Sequence, residues 1–315
     1  MTISKTRDLD GKLVALIGGT GFFGRHLAQE LLSRGARLRV GGRHPQKAYA
    51  VKTLGNLGQV QVVAVDVTKP HTLEVALTGV DAVVNLVGAF TGNLDAVQGS
   101  GAGTIATIAR ARGAASFVHI SAIGANVASA VAYARTKAAG EAAVLAAFPD
   151  AVVLRPSVLF GIDDNFINLF AGFTRLPVLP VFAPAASLQP LDVDDAAMAV
   201  GNVLANPAAF AGKTYELGGA EVLSVLELNR RIVRATGRSP ILLPLPDGLS
   251  RLIAAMPLTP ISRDQYALLV QGNVASADLP GIRDLGVQPR PLSLFLDRWL
   301  VTYRKHGRFG ARTAP

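Results

Sequence analysis

The sequence predicts an α/β fold, a doubly wound parallel sheet followed by a smaller, irregular C-terminal lobe. Two patterns carry this expectation. Short β-branched runs alternate with longer segments of helical period through about residue 156, and the β runs are almost wholly apolar, as strands covered on both faces must be. Beyond Pro156 that alternation stops and proline accumulates, so a different, smaller lobe is expected there. With 315 residues, half of them hydrophobic and 17% charged, the chain can bury one large core and a lesser one.

Taken in order, strands are expected at residues 12–18, 38–41, 60–65, 81–87, 116–120 and 152–154. Between the first two, Gly24, Leu27, Ala28 and Leu31 keep i, i+3, i+4, i+7 spacing, the stripe of an amphipathic helix. Residues 105–112 and 134–148 read the same way. Residues 161–191 are proline-rich, and LPVLPVFAPAASLQP within them reads as an ordered apolar loop. Helices are expected again at 194–204, 226–235 and 248–256. The first domain is taken as 1–156 with return segments from about 186–218, and the C-terminal lobe as 157–315.

Composition excludes several classes of function. There is no cysteine, hence no disulfide, thiolate metal site or thiol nucleophile. The histidines, His26, His44, His71, His119 and His306, lack metal-ligand spacing, so no metal is expected. No run of 18 uncharged apolar residues exists to span a membrane. The first apolar segment starts too early to follow a leader peptide, so the product is expected to stay where it is made. Arginine outnumbers lysine 23 to 8 amid abundant alanine, a bias of bacteria with GC-rich genomes. The net charge of +9 is concentrated at the ends: residues 1–50 carry +6 and residues 298–315 carry +5. Such ends suit solvent or an anionic contact such as cofactor phosphate, lipid headgroups or an acidic partner. Nucleic acid is not expected, because no aromatic residues interleave the first cluster and no recognition motif is present.

The stretch LIGGTGFFGR sets Gly18, Gly21 and Gly24 at the junction of the first strand and first helix. There the first glycine permits the tight turn, the second lets backbone approach a pyrophosphate, and the third lets helix pack on strand. The phosphates would rest on the free N–H groups of that helix, so the first domain reads as a Rossmann-type nucleotide-binding domain. The second strand ends LRVGGR, without the carboxylate that holds an NAD ribose. Arg43 there suits a 2′-phosphate, with Lys47 close enough to assist, so NADP(H) is expected over NAD(H).

The G-x-x-G-x-x-G spacing resembles the extended and atypical short-chain dehydrogenase/reductases. Further matching positions are Asp66 in VVAVDVT, then NLVG, HISA, YARTK, LRPSVLFG and PLDVDDAA. A narrower resemblance, over nearly the whole chain, is to the nucleotide-binding accessory subunit of respiratory complex I and its bacterial relatives. It rests on GGTGFFGRHLAQEL, VVNLVGAF, the run from HISAIGAN to YARTKAAGE, AFPDAVVLRPSVLFGIDDNFINLF and ISRDQYALLVQGNV. The resemblance implies that Thr20, Phe22 and Phe23, then Asp66, Val67, Leu86, Val87, Gly88 and Pro156 line the cofactor site.

Tyr133 and Lys137 stand four residues apart, on one helix face. An adjacent ammonium lowers a phenol's pKa, which would ready Tyr133 for proton transfer. In the family that tyrosine is the general acid–base and the lysine also grips the nicotinamide ribose. Ser121 follows the fifth strand, whereas the family's working hydroxyl usually lies about two residues on, where Ile123 stands. The catalytic set Tyr133, Lys137 and Ser121 is thus imperfect. Paired carboxylates at Asp163–Asp164 and at Asp192, Asp194 and Asp195 are weaker candidates, the latter reading as caps of the helix that begins at Asp194 or Asp195, and Arg155 reads as structural or close to the ribose.

Three functions therefore stand open: an NADP(H)-holding accessory protein of the complex I type, an oxidoreductase or epimerase acting through Tyr133 and Lys137, and an accessory role in quinone biosynthesis. The apolar 176–188 loop and the basic tail argue for docking. So do Leu249, Leu252, Ile253 and Met256 at helical spacing, and Trp299, Tyr303 and Phe309 among five basic residues. The expected place is peripheral on the cytoplasmic face of a bacterial inner membrane, against other complex I subunits or a respiratory assembly and anionic lipid, with the soluble cytoplasm as the alternative.

Overall fold

A computed structural model describes residues 7–254, 256, 262–305 and 307. Within it the chain forms two compact units. The first comprises the residues up to Pro156, with Val193–Leu217 and Ala277–Val287; the second comprises Ser157–Asp192, Gly218–Ser276 and the residues from Gln288 on.

The first unit is built on β1 (Leu13–Ile17), β2 (Arg37–Gly42), β3 (Val60–Ala64), β4 (Ala82–Asn85), β5 (Ser116–Ile120) and β6 (Val152–Pro156). A further strand, Thr214–Leu217, completes a seven-stranded sheet ordered Thr214–Leu217, β6, β5, β4, β1, β2, β3. Every pairing is parallel, with Val14 opposite Leu38 on one side and Ala82 on the other. Strand order reverses between β1 and β4, so the loops leaving those two strands diverge and open a crevice at their C-terminal ends. Val14, Leu16, Val83, Val84 and Val118 are 0–1% exposed, which explains why these strands read as unbroken apolar runs.

One face of the sheet carries the helices Phe22–Ser33 and Val193–Ala205, packed on each other. The other cluster joins Phe117 to Ala102, Ile105 and Val144 of the helices Ser100–Ala111 and Ala132–Ala147. Those two helices lie unusually close because their contact is made of small residues: a Cβ on Gly103 would stand 2.8 Å from that of Ala143. The Ala277–Val287 return is absent from the domain reading above. It is held by Glu216 N–H donating to the Pro280 carbonyl (3.0 Å) and by buried Ile282 and Leu285.

The second unit has its own core, including Phe160, Ile167, Phe170, Leu179, Val225 and Leu228. Two expectations need correction here. The apolar segment 176–188 is not a loop free for docking: Val178–Val181 pairs in parallel with Ile241–Pro244, and Leu179, Val181, Phe182 and Leu188 are buried. Most of its hydrophobic surface packs in the core, while Leu176 and Val178 at its start stay 49% and 39% exposed. The C-terminal aromatics are likewise turned inward: Trp299 stacks on Phe295 at 4.7 Å, and the Tyr303 hydroxyl donates to Asn168 Oδ1 (2.9 Å) beneath the Arg175 guanidinium. Phe309 lies outside the described residues. The helix Arg263–Gln271, started by a Ser262/Gln265 capping box, was not foreseen. Among the described residues no helix is long and apolar enough to cross a membrane.

Candidate cofactor site

The loop leaving β1 is a cradle that fits a dinucleotide phosphate. Gly18 has φ +85°, and a Cβ there would come within 3.1 Å of the Leu86 carbonyl carbon and 3.2 Å of Val87 N, so the turn can run against the end of β4 only as glycine. A Cβ on Gly24 would overlap the backbone of Gly19, whereas at Gly21 the nearest atom is 3.7 Å away, leaving room for a ligand. The helix that follows has Gly21 at its N-cap, no side-chain cap and no acidic residue in its first turn. Its free N–H groups and positive dipole end therefore face the crevice without a competing carboxylate. Thr20 sits beside the end of β2, where a Cβ on Gly42 would be 3.2 Å from the Thr20 side chain. Phe22 and Phe23 are half-buried, and Phe22 meets the His26 ring edge-on at 5.2 Å.

One residue beyond β2, Arg43 is exposed, as is Lys47. The neighbouring carboxylate is Asp66, but Thr68 N–H and Oγ–H both donate to its Oδ1 (3.0 and 2.7 Å). Those bonds, led by the Thr68 hydroxyl, hold Asp66 below the usual carboxylate range, with smaller help from Lys69 and Arg43. Val67 turns into the core, and Pro156, buried at the end of β6, accepts a hydrogen bond from Ile123 N–H (3.2 Å).

Lys137 is the best-anchored side chain of the site. Buried at 3% exposure, its ammonium donates to the Val87 carbonyl (3.1 Å) and the Ile120 carbonyl (3.0 Å), the ends of β4 and β5. Leu86 N–H donates to the Ile17 carbonyl (2.8 Å), which ties this edge to β1. Burial pushes Lys137 down to about 8, against a smaller opposing effect of Glu141. Two of its three donors are used, so one is left for a ligand. Gly88 permits this approach, since a Cβ there would lie 3.4 Å from the Lys137 nitrogen.

Tyr133 departs from expectation. Burial pushes its phenol up to about 12, and no effect of Lys137 contributes. The lysine's charge is directed at backbone carbonyls, and Phe90 stacks on the half-buried tyrosine ring at 4.4 Å and 12°. In this state Tyr133 is a protonated hydrogen-bond donor, not a readily formed tyrosinate. Ser121, 4% exposed, has an Oγ with no hydrogen-bond partner, one residue past the carbonyl that Lys137 grips.

Several polar residues here escaped the sequence reading. Gln98, fully buried, accepts from Ala89 N–H (2.9 Å) and donates to the Thr136 hydroxyl (2.8 Å), fixing the loop after β4 to the Tyr133 helix. Asn85 accepts from Val87 N–H and pairs through its amide nitrogen with His119 Nδ1 (3.1 Å). Since Asn85 Oδ1 is occupied, its amide donates to His119, whose proton then sits on Nε2. Burial, then Lys137, holds His119 down to about 3, so it is neutral. A polar side chain inside an otherwise apolar strand was the available signal for both. Arg155 ties Glu141 (2.7 and 2.9 Å) to Glu216 (3.3 Å), a structural bridge across β6. Asp194, in the first turn of its helix, pairs with His26 at 2.6 Å.

Comparison with known proteins agrees with this geometry. A family model described as NAD(P)H-binding matches residues 18–165, and one described as RmlD substrate binding domain matches residues 125–278. The chain is 31% identical to NADH dehydrogenase (ubiquinone) 1 alpha subcomplex subunit 9, mitochondrial, of Rattus norvegicus, over 91% of this chain and 79% of that one. Against the protein of the same name from Arabidopsis thaliana the identity is 29%, over 96% and 81%. A ceramide reductase of Caulobacter vibrioides is 33% identical over 75% of this chain and 74% of its own. Among solved structures, the dTDP-glucose 4,6-dehydratase of Streptomyces venezuelae with NAD bound superposes with a TM-score of 0.72 at 20% identity, covering 92% of this chain and 96% of that one. A triphenylmethane reductase of Citrobacter sp. gives 0.72 at 19% identity, covering 91% and 99%; at these identities the likeness is one of fold. The cofactor class is NAD(P)(H). With its glycine cradle, its Tyr133–Lys137 helix and this likeness to complex I subunit 9 along nearly its whole length, the chain belongs to the short-chain dehydrogenase/reductase family, in the branch of that subunit.

Proposed function

We propose that this chain is an NADP(H)-binding accessory subunit of a complex I-type respiratory assembly, holding its cofactor mainly for structure or regulation. What carries this reading is likeness across both units to subunits of that complex. In this reading Gly18, Gly21 and Gly24 admit the pyrophosphate to the first helix, and the free donor of Lys137 holds the nicotinamide ribose. Arg43, with Lys47, receives the 2′-phosphate, and no carboxylate at the end of β2 opposes it. The nicotinamide, when bound, supplies a hydride donor or acceptor.

The same reading sets the protein peripherally on the cytoplasmic face of a bacterial inner membrane. Support comes from the second unit, where Leu249, Leu252 and Met256 are 45%, 59% and 54% exposed, around exposed Arg251. The apolar stripe thus replaces the aromatic tail as the docking element, with anionic lipid or an acidic subunit facing Arg251 and Arg263.

A second reading, reduction of a carbonyl by Tyr133, Lys137 and Ser121, is favoured by the partnerless Ser121 hydroxyl and by the likeness to a ceramide reductase. The cofactor assignment is tested by thermal shift with NADPH and NADH. Tenfold tighter NADPH binding stabilises by about 1.4 kcal/mol more at saturation, and Arg43→Asp should abolish the difference. Equal shifts with both nucleotides would remove the NADP(H) assignment.

A further inference from the structure

The second unit carries a two-stranded parallel ribbon, Val178–Val181 with Ile241–Pro244, in which Val178 stands opposite Ile241 and Pro180 opposite Leu243. Side chains of paired residues share one side of a sheet and alternate along each strand. One side of the ribbon, with Leu179, Val181 and Leu242, packs in the core of this unit. The other is apolar and uncovered: Ile241 is 67% exposed and Leu243 47%, and Val178 is exposed with them. A contiguous apolar surface of this kind marks a contact with something apolar.

Cations border that face at one end. Arg175 and Arg238 each stand three residues before the Val178–Ile241 pair, and both reach Tyr303. The Arg175 guanidinium lies 5.5 Å from its ring centroid, and Arg238 Nε–H donates to its carbonyl (2.6 Å). Neither has a carboxylate partner among the described residues, unlike Arg231, held by Glu221 and Glu227, and Arg304, beside Asp297. Residues 165–191 and 228–246, which supply the ribbon, hold five arginines and no acidic residue. Guanidinium groups without a carboxylate, set beside bare carbon, suit an anion at the border of an apolar phase.

A protein strand is a poor occupant. Ile241 N–H donates to the Pro177 carbonyl (2.9 Å) and Leu245 N–H to the Val181 carbonyl (3.0 Å). Pro240, Leu242 and Pro244 therefore turn their backbone to the open edge, where Leu242 alone has an N–H to offer. A lipid leaflet needs no backbone partner.

We propose that this face of the ribbon lies on an anionic lipid leaflet, Val178, Ile241 and Leu243 entering the acyl boundary while Arg175 and Arg238 receive lipid phosphates. The proposal rests on the peripheral reading above and deepens it. It chooses lipid over an acidic subunit and adds a contact separate from the Leu249–Leu252 stripe.

The chain has no cysteine, so Ile241→Cys and Leu243→Cys can each carry a single environment-sensitive fluorophore in the full chain, with Leu57→Cys, exposed in the first unit, as control. On vesicles of phosphatidylcholine with phosphatidylglycerol, the labels at positions 241 and 243 should shift to the blue and the control should not; phosphatidylcholine alone should shift none. In flotation with the same anionic vesicles, Ile241→Glu/Leu243→Glu should abolish binding. Arg175→Gln/Arg238→Gln should weaken it about tenfold, whereas Arg175→Lys/Arg238→Lys should keep it. Binding that survives Ile241→Glu/Leu243→Glu but is lost in Leu249→Glu/Leu252→Glu overturns this contact and leaves the peripheral reading standing. Labels that shift only when a purified respiratory assembly is added overturn it in favour of a protein partner, and labels that shift when the chain alone is concentrated do so in favour of a second copy. An equal shift at the control position shows unspecific adsorption and refutes the assignment. Binding to no vesicle at all sinks it together with the lipid side of the peripheral reading.

Discussion

Lys137 allows the state of the site to be read from pH alone. Its ordinary value of 10.5 falls to about 8 in the folded protein because burial disfavours the ammonium. Below pH 8 the lysine is charged in both folded and unfolded chains, and folding carries the full burial penalty. The difference of 10.5 − 8 corresponds to about 3 kcal/mol, at 1.36 kcal/mol for each pH unit. Between pH 8 and 10.5 the unfolded chain binds the proton that the folded chain has released, so stability must rise with pH. From pH 7 to 10 the expected gain is about 2–3 kcal/mol. Lys137→Met removes this titration while leaving other groups in place. Denaturant unfolding of the cofactor-free protein and of Lys137→Met at pH 7, 8, 9 and 10 should therefore show a difference in ΔG that changes by that amount. NADPH affinity should move oppositely, falling as pH passes 8, because the donor aimed at the ribose loses its charge. A stability difference that stays flat over this range would refute the placement of a buried ammonium between Val87 and Ile120.

Gly24→Ala sets a methyl against the Gly19 backbone; it should cost about 1–3 kcal/mol in unfolding ΔG and weaken NADPH at least tenfold by isothermal titration. Arg155→Met leaves Glu141 and Glu216 buried without their cation, and unfolding should show a loss of about 3 kcal/mol. Tyr133→Phe removes a hydroxyl that bonds no described residue, so stability should change by less than about 0.5 kcal/mol and NADPH affinity stay close to wild type. Loss of NADPH binding in Tyr133→Phe would show that the phenol, not Lys137 alone, grips the cofactor.

Much of the sheet is legible in the sequence because strands covered on both faces must be continuous apolar runs, and β1 to β6 fall within a few residues of those runs. The seventh strand, TYEL, escaped because its Glu216 is needed by Arg155, a pairing visible only once β6 is beside it. The glycine loop is local and was legible, and its φ and close approaches follow from three residues. The deeper polar residues were not: Asn85, Gln98 and His119 take their meaning from partners 9 to 38 positions away. Composition also misled at the C-terminus. Aromatics among basic residues suit a membrane surface, but the sequence does not say which way a ring points, and Trp299 and Tyr303 point into the core. Leu249 and Leu252 show the converse, an amphipathic stripe left uncovered on its apolar side.

The most direct measurement is affinity purification of the tagged full chain from native membranes, with partner identification and assay of bound nucleotide. The account expects complex I subunits to co-purify in fixed proportion, NADP(H) to be recovered with the chain, and Leu249→Glu/Leu252→Glu to lose the partners while keeping the nucleotide. A chain recovered entirely from the soluble fraction, free of respiratory subunits and turning over a carbonyl substrate in a Tyr133-dependent way, would contradict it.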